Sequence, residues 1–163
     1  MVDLSGIALV EEADIQSGIV RNAVAYWRGK GRLGGPEGRP PLRALLDPAE
    51  IPRLLPNLML KEVRRDPWDF RYRLVGTNVR EHSRSNWTGK WMSEMPGQDE
   101  SSVVYRVARQ VAESGQLLLY RPPYVGPHKE FKFCEACVLP WVDEAGVVDR
   151  LMIAVDFIAS FDP

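Results

Sequence analysis

The hydrophobic pattern of the chain changes period twice. Between residues 11 and 30, Ile15, Ile19, Val20, Ala23, Val24 and Trp27 fall on one stripe of an amphipathic helix. Acidic Glu11, Glu12 and Asp14 stand at its start and Arg28 and Lys30 near its end, as the helix dipole favours. The stretch Gly29 to Pro41, with five glycines and three prolines, reads as a loop. Asp47-Pro48 then opens a short helix through Ile51, Leu54 and Leu55 that Pro56 closes.

From Leu58 the period shortens to two. Residues 58–63 read as a strand, 65–69 as a turn and 70–75 as a second strand, with Phe70, Tyr72 and Leu74 alternating with Arg71, Arg73 and Val75. Residues 77–86 suggest a short helix and Thr88-Gly89-Lys90 a turn. Val103, Val104, Val107, Ala108 and Val111 form a second long helical stripe, with Ser101 or Asp99 as cap and Gly115 past its end. Three strands follow, at about 116–121, 130–141 and 147–157. Alternation puts Phe131, Phe133, Glu135, Cys137, Leu139 and Trp141 on one face of the middle strand, and Leu151, Ile153, Val155 and Phe157 on one face of the last. Two strands, a helical crossing and a three-strand meander predict an α+β fold, one antiparallel sheet with helices on one face.

Composition narrows the class. At 163 residues, 45% hydrophobic and 26% charged, the chain suits a single soluble domain. The N-terminus has no basic region before its short apolar stretch, and the longest late apolar run, Leu151 to Val155, is too short to span a bilayer. Two cysteines make no disulfide framework, which fits a reducing compartment, so the expectation is a cytoplasmic protein away from the membrane. The net charge of −1 hides an asymmetry: residues 21–90 carry 15 basic against 7 acidic side chains. Such a segment can mark an anion-binding face, a nucleic-acid surface, or opposite charges interleaved on folding. Arg71 and Arg73 alternate on a strand, other basic residues scatter over loops, and no recognition helix is visible, so nucleic acid is disfavoured.

Motif-like strings carry little chemistry. Gly29-Lys30-Gly31-Arg32-Leu33-Gly34 matches a dinucleotide fingerprint, but a helix precedes it where a strand is required. Cys134 and Cys137, three apart on a strand, point to opposite faces; with His128 they fall short of a four-ligand zinc site, and they read as buried small hydrophobes. His82 and His128, the only histidines, lie in no metalloprotease motif, and no nucleophile elbow occurs. Nothing requires catalysis, and the expectation is a non-enzyme. Large aromatics on the sheet, beside Trp87 and Trp91 around the Thr-Gly turn, either fill the core or wall a small-molecule cavity.

Leu55-Pro56-Asn57-Leu58-Met59-Leu60, then Phe70-Arg71-Tyr72-Arg73-Leu74-Val75-Gly76-Thr77, then Thr88-Gly89-Lys90 resemble the bacterial stand-alone PAS family, whose members pair a Leu-Pro start with a Phe-Arg-Tyr-Arg-Leu-x-Gly-Thr strand and a Thr-Gly turn. The likeness spans roughly residues 20–157. It implies a five-stranded antiparallel sheet of order 2-1-5-4-3 with helices on one face, preceded by an N-terminal helix and loop (1–45) ahead of the PAS-like domain (46–163). It also implies a sensory module that binds a small molecule and signals through a partner or a homodimer, since the chain leaves no room for an output domain. Residues 82–87 lack the cysteine of flavin photosensors and residues 101–114 lack the histidine of haem sensors, so no cofactor is named. The expected wall residues are Phe70, Tyr72, Tyr105, Phe133 and Cys137, with Arg73 or Trp87 as a polar handle. The alternative is a ligand-free interaction module, a dimerisation or adaptor domain whose N-terminal stripe, ending in Trp27, packs on a second copy or a partner.

Overall fold

The computed structural model describes residues 2–34, 39–83, 85–124, 126–128 and 131–159. Five strands, β1 (Leu58–Arg64), β2 (Asp69–Val75), β3 (Leu118–Tyr120), β4 (Phe131–Val142) and β5 (Val148–Ala159), form one sheet of order β2-β1-β5-β4-β3. Each neighbouring pair is antiparallel. Helices α2 (Thr77–Ser83) and α3 (Val103–Ser114) cover one face, the front, and α1 (Gly18–Gly34) lies on the other. The α+β topology expected from the sequence, including its sheet order, is the one observed, and it is PAS-like.

Local chemistry sets the element ends. Ser17 rather than the acidic cluster opens α1: its Oγ accepts the Val20 amide at 3.1 Å. The acidic residues instead form a separate 3-10 turn, Glu12–Asp14. The helix continues to Gly34, so the dinucleotide-like string is helical throughout; residues 35–38 of the expected loop lie outside the described residues. The predicted helix at 47–56 is two 3-10 turns, Pro48–Glu50 and Leu55–Asn57. Ser102, not Ser101 or Asp99, caps α3 by accepting the Tyr105 amide, and Gly115 takes the left-handed conformation (φ 68°) that ends it.

The strings that carry the family resemblance hold this frame. A Cβ at Gly76 would lie 2.3 Å from the carbonyl oxygens of Leu55 and Pro56, so only glycine lets β2 end against that 3-10 turn. Buried Asn57 donates Nδ2–H to the Val155 carbonyl (2.9 Å) and accepts from Asn78 (3.0 Å), joining the turn to β5 and α2. Gly89 (φ 85°) makes the Thr-Gly turn, and its amide donates to the Tyr72 carbonyl while the Tyr72 amide donates to that of Lys90. Residues 8–10 pair similarly with β3, so backbone covers part of both sheet edges.

The sheet is buried on both faces. Val107, Ala108 and Val111 of α3 pack on Ala136, Val138, Ile153 and Val155, whereas Val20, Ala23, Val24 and Trp27 of α1 pack on Cys137, Leu139, Trp141, Met152 and Ala154. The apolar stripe of α1 is therefore used within its own chain. This corrects the expectation that the stripe ending in Trp27 faces a second copy: Trp27 is 7% exposed, and its indole N–H donates to the Pro140 carbonyl at 2.7 Å.

One buried charge fixes where α1 starts. Glu135, fully buried on the back face of β4, accepts the Gln16 and Ser17 amides on Oε1 at 2.9 and 2.7 Å and Arg121 Nε on Oε2 at 3.1 Å. Ser17 Oγ donates to Asp156 on the adjacent strand at 2.7 Å. Replacing Glu135 by alanine strands these donors and is expected to cost about 3 kcal/mol in urea unfolding. Glu135→Gln, which keeps an acceptor oxygen, should cost less, and equal losses would mean that the acceptor is unimportant. Deleting residues 1–30 uncovers the back core. A truncated chain that still unfolds cooperatively at the wild-type midpoint would refute that role for α1.

Candidate functional site

Between α3 and the front face lies a cavity of about 330 Å³. It exists because small or β-branched side chains meet there. Ala108, Val104 and Val107 line it from α3, and Ala136, Val138, Ile153 and Val155 line it from the sheet. A cavity of this size and apolar character matches the lower range of small-molecule sites.

One group of polar residues gathers around β1 and β2. Lys61 projects from β1 into the cavity and is 3% exposed. Its ammonium lies 4.8 Å from the Tyr72 ring centroid and 3.7 Å from the Met92 sulfur, a weak acceptor. Burial pushes its pKa down to about 8, and no carboxylate among the described residues opposes the shift. Tyr72 donates its hydroxyl to Gln98 Oε1 at 2.7 Å and packs on Trp87 with centroids 5.3 Å apart. Burial raises the Tyr72 and Tyr120 phenols, keeping both as neutral hydroxyls, and the Tyr120 hydroxyl has no hydrogen-bond partner among the described residues.

A second, aromatic group lines the cavity from α2 and the segment after β3. His82 stacks on Phe157 at 3.7 Å between centroids, and its Nδ1 is 2.6 Å from the Tyr124 hydroxyl. Phe131 and His128 meet His82 edge-on at 5.1 and 5.2 Å. The short helix α2 thus turns His82 inward.

The expected wall residues separate into three sets. Tyr72 and Trp87 line the cavity. Phe70 and Tyr105 lie in the front core, in edge contact at 5.6 Å, with the Tyr105 hydroxyl donating to the Trp68 carbonyl; they are not at the cavity wall. Arg73, Phe133 and Cys137 lie elsewhere. Arg73 is exposed and 3.7 Å from Glu62, beside the Arg71–Glu62 pair. Cys137 is in the back core, and the Arg121 guanidinium lies 5.5 Å from the Phe133 ring centroid. The physical reason is a bulge: β4 passes two residues, Phe131 to Phe133, while β5 passes one. The inward positions beyond it are therefore Cys134, Ala136 and Val138.

The two thiols fall on opposite faces, as their spacing requires. Burial pushes Cys134 up to about 11 and Cys137 up to about 12, far from thiolate chemistry at neutral pH. Among the described residues, no three His, Cys, Asp or Glu side chains group to hold a metal ion, and no helix is long and apolar enough to cross a membrane. The fold and cavity together define a PAS-like α+β module. No family model, curated protein or solved structure matches the chain.

Lys61 was legible only as a polar interruption of an apolar strand, Leu58-Met59-Leu60-Lys61. Its titration is a direct check on the site. Between pH 8 and 10.5 the unfolded chain keeps a proton that the folded one releases, so this group favours folding increasingly as pH rises, by up to about 3 kcal/mol. The buried phenols and thiols act in the opposite sense, so the Lys61 contribution is read against Lys61→Met. The variant is expected to be more stable at pH 7 in urea unfolding, with the gap narrowing towards pH 10.5. A gap independent of pH would place the amine in water.

Proposed function

We propose that the protein is a stand-alone PAS-type sensory module that binds a small molecule between its sheet and the α2/α3 face and signals through a partner protein or a second copy. The reading rests on one observation: an apolar cavity of about 330 Å³ into which a buried lysine projects with no counter-charge among the described residues. An enclosure that only filled a core would be expected to close on itself, because unfilled volume forfeits packing contacts. The PAS-like sheet order and the Leu-Pro-Asn, Arg-Leu-Val-Gly-Thr and Thr-Gly strings support the family reading. The strand arginines of residues 21–90 support a nucleic-acid surface poorly: Arg71 and Arg73 lie against Glu62, and Arg64 pairs with Asp69.

Native mass spectrometry tests ligand retention. After equilibration with a small-molecule extract of the expressing cells, the wild type is expected to carry an excess mass that denaturation removes. Ala108→Leu, which fills the cavity from α3, should lose it. Superimposable native spectra for the two proteins would refute the cavity as a ligand site.

A further inference from the structure

We infer that the cavity is selective for a small carboxylate with an apolar body, its anionic end seated on Lys61. The inference rests on the ligand-binding reading above and adds the chemical class. Among the described residues, the cavity wall contains a single lysine, no arginine and no aspartate or glutamate. On the neighbouring strands, Arg71 pairs with Glu62 and Arg64 with Asp69 outside the cavity. A buried ammonium has three donors to satisfy, and among the described residues it meets only a thioether and an aromatic face. Burying such a charge without an anion is costly, and an anion reaching Nζ would form a charge-assisted hydrogen bond in a water-poor enclosure.

The neighbouring groups suit a carboxylate. Gln98 accepts the Tyr72 hydroxyl through Oε1, which orients the amide and leaves its NH2 as donor. Tyr120 adds a neutral hydroxyl to the same wall. The remainder, formed by Val107, Val138, Ile153 and the stacked His82 and Phe157, offers hydrocarbon and ring surface to an apolar body. A dianion or a phosphate would bring more negative charge than one lysine balances.

The test compares carboxylates with their neutral amides of the same shape: hexanoate with hexanamide, benzoate with benzamide, phenylacetate with phenylacetamide. Each is titrated calorimetrically to millimolar concentrations into the full chain. Methyl NMR of Val107, Val138 and Ile153 reports where it binds. At least one carboxylate is expected to bind about tenfold or more tightly than its amide while shifting those methyls. In Lys61→Met, which removes a buried charge without removing volume, that preference should disappear while the amide still binds. Equal binding of acid and amide at those methyls would overturn the carboxylate inference and leave the cavity reading standing, as would a preference that survives Lys61→Met. No binding by any pair, or shifts confined to other methyls, would overturn both.

Discussion

The buried carboxylate of Glu135 is the constraint from which the arrangement of layers follows. A charge in the middle of a fully covered strand is tolerable only when both of its oxygens meet donors. The Gln16 and Ser17 amides and Arg121 meet that demand. Those amides can reach Glu135 only if α1 begins directly over β4. Once the start is fixed there, the 3.6-residue stripe brings Val20, Val24 and Trp27 down onto the back of β4 and β5. The polar contact sets position, and the apolar face supplies most of the energy, at about 1.5–3 kcal/mol per large buried side chain.

That back layer bears on the front. A cavity removes packing partners from the groups around it, so an enclosure under α3 has to be supported by contacts elsewhere. Here Leu139 and Trp141 of β4 and Met152 of β5 pack against the α1 stripe behind the sheet. The two faces of one sheet thus differ in packing, a filled core behind and a cavity ahead.

Much of the fold was legible because it rests on local rules. The strand pair, the valine-striped α3 ending at Gly115, and the strings at Leu55–Asn57, Gly76 and Gly89 all act through backbone geometry that neighbouring residues determine. The second cover layer could also have been read. Leu151-Met152-Ile153-Ala154-Val155 is apolar at consecutive positions, the signature of a strand buried on both faces, and attention to alternate residues alone conceals it. The site was less legible. Tyr72 and Trp87 reach it, but the β4 bulge reverses parity at a point no periodicity marks, and Cys137 and Phe133 went to the wrong face for that reason. Lys61 escaped because a lysine in a strand ordinarily reaches water, and only the assembled roof over β1 keeps this one dry.

The placement of Cys134 and Cys137 gives the molecule a pair of internal clocks. Each thiol is buried on a different face: Cys134 lines the front cavity, and Cys137 lies in the back core beneath α1. The rate at which each is modified therefore reports on its own side of the sheet, access to the cavity for Cys134 and lifting of α1 for Cys137. Motion at the cavity and lifting of the N-terminal helix become separable in time within a single unaltered chain.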